Sequence, residues 1–260
     1  MTEPFQPQPV DLPDIPTADI SWDVRSLADE QEWTWDADEG RYLDSDGQFV
    51  TEQEILDVVE AELADWESIV DEATDALLND DVDVIGWEQR IAEITAGVAA
   101  IFFLFGIGGD RSFITDEHTD FANERLQTQY EYLRGFSEAV LAGTLTAAAI
   151  GARSKLYVYD AESNHGYAQD FAHDVERFPF YSNVRGGSEQ PCTECPALTA
   201  RGIVRRGTLP PIGARECGPG CKCHFAYYQT ADGRQREGLS KFGWIGQNKI
   251  TLSIKTPVTL

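Results

Sequence analysis

The sequence predicts a mainly α-helical fold: an antiparallel helical bundle, followed by a small zinc-stabilised, cysteine-rich module with short β-strands. Three observations lead there. Apolar residues recur at spacings of three and four through much of 51–178, the period of helices that bury one face. All five cysteines fall between Cys192 and Cys223. The charge reverses at the same point. Residues 1–191 carry 41 acids and 10 bases, a net of −31, whereas 192–260 carry 4 acids and 10 bases, a net of +6. Such asymmetry marks parts with different surroundings. The division expected is an extended arm over 1–21, an aromatic and acidic segment over 22–50, the bundle over 51–182 and the cysteine module with its strands over 183–260.

The first 21 residues contain five prolines and no helical or strand period, so they should be extended and unable to form a core alone. They lack a cationic, apolar leader, and no signal peptide is expected. An arm of this composition is most readily ordered against another subunit, which points to a multi-copy assembly. Residues 22–50 hold Trp22, Trp33, Trp35, Tyr42 and Phe49 among many acids. Two short strands are expected around Ser45-Asp46-Gly47, with Tyr42 and Phe49 flanking the turn. The aromatics should form the segment's own small core; interface anchoring is the alternative.

Thr51 with Glu54 forms a capping box for the first long helix. Ile55, Val58, Val59, Trp66, Ile69, Val70, Ala73 and Leu77 make its apolar stripe, to which Glu62 is the exception. The other acids form a solvated face. Asn79-Asp80-Asp81 ends the helix without the ligand periodicity of a calcium loop. A second helix from about Val84 to Leu104 turns Trp87, Ile91, Ile94, Val98 and Ile101 inward. Its apolar run, 98–107, is shorter than the ~20 residues that cross a bilayer. It reads as the most buried helix of the bundle, with no membrane contact expected; a membrane-active segment is the alternative. Gly106, Gly108 and Gly109 break it.

The third helix, Thr115 to Ala142, points Phe121, Leu126, Tyr130, Leu133, Phe136 and Val140 toward the core and stops at Gly143. A fourth is expected from Thr146 to about Phe178, with an interruption at Asn164-His165-Gly166. His118, His165 and His173 read as surface residues. Arg185-Gly186-Gly187-Ser188 forms a hinge. Beyond it, 224–228 and 243–259 read as strands, with Asp232-Gly233 as a turn. The alternation of Ile250, Leu252 and Ile254 with polar residues suits a strand that closes the module or joins a partner's sheet edge.

Cys192-x2-Cys195 is followed by Cys217-x3-Cys221-x-Cys223. Paired knuckles of this kind supply four thiolates to one tetrahedral zinc. The expected ligands are Cys192, Cys195 and Cys217, with the fourth from Cys221 or Cys223. A disulfide staple is the alternative, although an odd number of cysteines leaves one over. The zinc would be structural, since a catalytic ion keeps a position open for water beside a base. Nothing in the spacing aims Glu194 or Glu216 at such a water.

The module carries a resemblance. Its Cys-x2-Cys pair, the run Leu209-Pro210-Pro211-Ile212-Gly213 and a closing Cys-x-Cys before an apolar strand are similar to the C-terminal module of phage head-morphogenesis proteins. These are the minor head proteins related to protein F of phage Mu and to its counterpart in phage SPP1. That family closes with His-Pro-x-Cys-Arg-Cys. Here Cys217 stands near the histidine position, Cys221-Lys222-Cys223 replaces Cys-Arg-Cys, and the spacing differs by one residue. Upstream, Arg41 to Val50 (RYLDSDGQFV), the helical block with Trp87 and Gln129 to Phe136 (QYEYLRGF) also resemble head-protein sequences. The resemblance implies a structural virion protein bound to the portal, the major capsid protein or both. Its place would be the capsid interior or portal vertex, with the host cytoplasm during assembly.

The net charge of −25 and only five lysines, none before Lys155, suit a halophilic setting such as a tailed virus of haloarchaea. They also oppose nucleic-acid binding by the whole chain. The exception is the cluster Arg201, Arg205, Arg206, Arg215 and Lys222, which could touch packaged DNA, contact an acidic neighbour or dock on this chain's own acidic helices. No catalytic signature is present: no Gly-x-Ser-x-Gly elbow, no phosphate-binding glycine loop and no His-Glu-x-x-His pair. Ile107-Gly108-Gly109 follows a helix, not a strand. His224 adjoins Cys223, but a crowded thiol cluster is a poor setting for a nucleophile. No enzyme is expected. Capsid decoration, zinc-dependent nucleic-acid binding and metalloenzyme chemistry are the competing readings.

Overall fold

Helix starts are set by side chains that accept the unpaired N–H groups of a first turn. A computed structural model of the chain describes residues 12–15, 17–159, 168–169, 172–173, 175–185, 193–210 and 223–233. After a short helix α1 (Leu27–Glu30) comes α2 (Glu52–Leu78), opened by the Thr51–Glu54 capping box. Asp83 caps α3 (Val84–Gly106) through the Gly86 N–H at 2.8 Å. Thr115 and His118 cap one another at the start of α4 (Asp116–Leu141), each bond 3.2 Å. Thr146 caps α5 (Ala147–Ser154). The links are short, so successive helices turn back on one another.

The middle helix, α3, packs on both α2 and α4, and α5 packs on α2. Trp87, Ile91, Ile94, Val98 and Ile101 are all buried, and so is every residue from 98 to 109. At 23 residues α3 is long and apolar enough to span a bilayer. Length alone therefore does not separate the two readings, but here the apolar surface is spent on neighbouring elements. Each buried phenylalanine of its C-terminal half contributes about 1.5–3 kcal/mol.

The described arm residues lie along α4 of their own chain. The Ile20 N–H donates to Asn123 Oδ1 at 2.8 Å and the Ala18 N–H to Gln127 Oε1 at 3.2 Å. The Trp22 indole N–H donates to Thr119 Oγ1 at 3.3 Å. Two extended residues advance about 6.6 Å and four helical residues about 6 Å. Every second arm residue therefore meets every fourth residue of α4. The described part of the arm is thus held against its own chain; residues 1–11 and 16 lie outside the described residues.

The aromatic segment differs from expectation in two ways. Its hairpin pairs β1 (Thr34–Asp36) with β2 (Arg41–Leu43), placing Trp35 opposite Tyr42. The turn between them is built by the Asp36 carboxylate, which accepts from the Asp38 and Glu39 N–H groups, and by Gly40 at φ +62°. Across Asp46-Gly47 only a single bridge, Leu43 to Phe49, forms. The aromatics also join the main core: Tyr42 stacks on Phe105 with centroids 5.1 Å apart and donates its hydroxyl to the Phe105 carbonyl. Glu62 is 6% exposed. It binds the Arg25 guanidinium and accepts from the Trp66 indole at 2.6 Å, so the exception in the α2 stripe is a paired buried charge.

The expected fourth helix is broken at Lys155. Helix α5 ends at Ser154, whose hydroxyl donates back to the Ile150 carbonyl at 2.8 Å. Lys155 instead reaches Asp71 of α2 at 2.8 Å. Helix resumes at 156–159, where Tyr157 and Val158 are buried, and residues 168, 169 and 172 are helical as well; residues 160–167 lie outside the described residues. The bundle also gives way to sheet earlier than the expected boundary at 182. Phe180–Val184 is strand β3, the centre of a three-stranded antiparallel sheet in the order β4-β3-β5, with β4 at Val204–Arg205 and β5 at His224–Tyr228. Helix α6 (Glu194–Ala200) packs on β3.

Candidate metal centre and its joint to the bundle

Strand β3 carries the cysteine module. Asn183 donates its side-chain N–H to Thr199 Oγ1 at 2.8 Å, tying α6 to the strand, while Ser182 pairs with Ala226 in β5. Phe178, Tyr181, Leu198, Leu209 and Tyr227 form a separate small core. Tyr181 exchanges hydrogen bonds with Leu209: the Leu209 N–H donates to the Tyr181 hydroxyl at 3.0 Å, and the hydroxyl lies 3.4 Å from the Leu209 carbonyl.

Two of the five expected ligands stand on this frame. Cys195 is buried in the first turn of α6, and Cys223 is half-buried immediately before β5. Two of the elements attached to β3, α6 and β5, thus each carry one thiol at or next to their start. Cys192, Cys217 and Cys221 lie outside the described residues, as does the strand expected over 243–259. Among the described residues no three ligand-type side chains come together. Thiols on rigid elements around a shared strand have the donor chemistry of a closed zinc site; a four-thiolate set requires the other three cysteines.

The basic cluster divides. Arg201 and Arg205 are exposed. Arg206 is not a free surface charge: it donates to the His173 carbonyl and lies over the Tyr227 ring, 5.4 Å from its centroid. Arg215 and Lys222 lie outside the described residues. Arg177 faces Asp38 at 3.8 Å and Glu39 at 3.7 Å, so one contact between module and body is a cation meeting the acidic hairpin turn.

His173 sits at the centre of this joint, buried where a surface position was expected. Its ring stacks on Tyr227 at 4.0 Å and meets Phe178 edge-on at 5.4 Å. Its Nδ1–H donates to the Gln169 carbonyl at 2.7 Å. Gly40 of the hairpin turn approaches the other side, where an added Cβ would stand 3.3 Å from Nε2. Sequence spacing carries no trace of this, because the partners come from residues 40, 206 and 227. His118 also has a role: besides capping α4 it meets Phe103 edge-on.

Burial, with the nearby Arg206 and Arg41 charges, lowers the His173 pKa to about 4, against the opposing hydrogen bond to Gln169. The imidazole is neutral when folded and charged when unfolded between that value and about 6.5. The unfolded state then binds more protons, so stability rises with pH across this window. The contribution is complete above about 6.5 and falls away as pH drops toward 4, by on the order of 3 kcal/mol. Urea unfolding of the wild type and of His173→Phe from pH 4 to 7 checks this. The substituted chain is expected to lose that part of the slope; identical slopes would contradict it.

No family model, curated protein or solved structure matches the chain.

Proposed function

We infer that the chain is a structural virion protein: a minor head, or head-morphogenesis, protein of a tailed virus. It binds the portal inside the capsid and assists head assembly and genome packaging or delivery. The observation that carries this reading is the C-terminal cysteine pattern with its Leu209-Pro210-Pro211-Ile212-Gly213 run before β5. One structural zinc holds the module, with Cys192, Cys195, Cys217 and one of Cys221 and Cys223 as ligands. The mechanism is binding, not catalysis. A halophilic virus is the setting that fits the net charge of −25. Assembly in several copies belongs to the same reading and rests on the resemblance, while the described arm residues find partners within their own chain.

Quantitative mass spectrometry of purified virus particles tests the reading. A copy number near that of the portal is expected. A number approaching that of the major capsid protein would make the chain a capsid decoration or cement protein. Absence from particles would overturn the virion reading and bring forward zinc-dependent nucleic-acid binding, for which Arg201 and Arg205 are the residues to replace. Arg206 is excluded from that test because its loss would disturb the joint.

A further inference from the structure

Between α3 and α4 lies a cavity of about 260 Å³. Asp14 of the arm and Gln89 of α3 stand at its exposed mouth; Glu88 and Arg134 are its buried charged members. Arg134 is 8% exposed, and its Nη1 lies 3.3 Å from Glu88 Oε2. That nitrogen nevertheless has no hydrogen-bond partner. A guanidinium withdrawn from water with a donor unmet is costly, and such groups are nearly always satisfied. The volume corresponds to about eight waters of ~30 Å³ each, or to one small ring with a polar head. Apolar walls such as Ala92 and Leu133 favour the organic guest, because water needs several polar partners.

Charge narrows the class. An anion would have to pass Asp14 on a chain of net charge −25, then compete with Glu88 for Arg134. A cation would meet Arg134 itself. A neutral amide does neither. Its carbonyl accepts from Arg134, its N–H donates to Glu88, and the two protein charges still compensate one another. We propose that this cavity binds a small, neutral, amide-bearing molecule with a compact apolar body, held by Arg134 and Glu88 together.

Three probes of one shape test the site: benzamide, benzoate and benzamidine. Each is titrated into the full chain and followed by amide NMR shifts of Gln89, Ala92 and Tyr130. Benzamide is expected to saturate, with the two charged probes at least about tenfold weaker. Ala92→Leu fills the cavity from the α3 wall and keeps both members of the ion pair in the chain. It should abolish the benzamide shifts while the circular dichroism and Tm are kept. Arg134→Met leaves the Glu88 carboxylate unopposed and should shift the preference from benzamide to benzamidine. Benzoate binding as tightly as benzamide would overturn the proposal in favour of an anion site. Benzamide shifts that survive Ala92→Leu, or no saturable shifts with any probe, would also overturn it.

Discussion

Replacing Gly108 with alanine is expected to destabilise the protein by on the order of 4 kcal/mol. Gly108 has φ +114°, outside the range open to L side chains, and an added Cβ would lie 2.6 Å from Cγ of Trp35. Two more atoms of that ring would lie at 2.7 and 2.8 Å. The indole cannot withdraw freely, because it packs edge-on against Tyr42 at 4.8 Å and Tyr42 in turn is stacked on Phe105. Backbone strain and overpacking therefore add. Two controls separate the causes. Gly47 also has positive φ (+72°) but nothing within 4 Å of its Cβ position, so alanine there costs about 1 kcal/mol of strain. Gly135 is helical with open space, and alanine should stabilise by up to about 1 kcal/mol. Urea midpoints order the three variants; a Gly108 variant as stable as the Gly135 one would contradict the packing argument.

Stripping metal from the purified chain is expected to melt the C-terminal module and leave the bundle folded. Among the described residues the module's core holds five buried apolar side chains. So small a core rarely sustains a fold without a cross-link. The bundle core, by contrast, draws on α1 through α5 and the arm. Structural zinc in small modules supplies about 10 kcal/mol or more, so its loss should dominate locally. Elemental analysis is expected to give one zinc per chain, and Cys195→Ser to lower that occupancy. After chelation, hydrogen exchange should accelerate at Tyr181 and Ser182 of β3 while Ile91 and Val98 of α3 stay protected. A metal-free chain with oxidised cysteines and a protected β3 would establish the disulfide staple instead.

Much of the bundle was legible because its signals are local. Thr51 with Glu54 and Thr115 with the N–H of His118 act within one turn, and the stripe from Trp87 to Ile101 repeats within one helix. The ends of α2, α3 and α4 accordingly fall within two residues of expectation. β5 was legible for a similar reason, as a short aromatic run. The break in the fourth helix was not. The helix's continuation had acceptable composition, and the break lies where Lys155 finds Asp71 on another helix. Phe180–Val184 was read as the end of the bundle because its identity as a strand depends on Arg205 and Tyr228, 25 and 48 residues from Phe180.

The candidate sites divide in the same way. Cysteine spacing and the charge reversal at Cys192 are properties of the chain itself, and the expectation of a thiol-bound module rests on them. Helical periodicity likewise defines which faces are apolar. What tertiary structure alone decided was where polar groups go once those faces close. The arm finds its acceptors at Thr119, Asn123 and Gln127, His173 becomes a buried neutral joint, and Arg134 is sealed beside Glu88 against a cavity. Each outcome depends on desolvation and on partners distant in sequence. Local propensity carries neither.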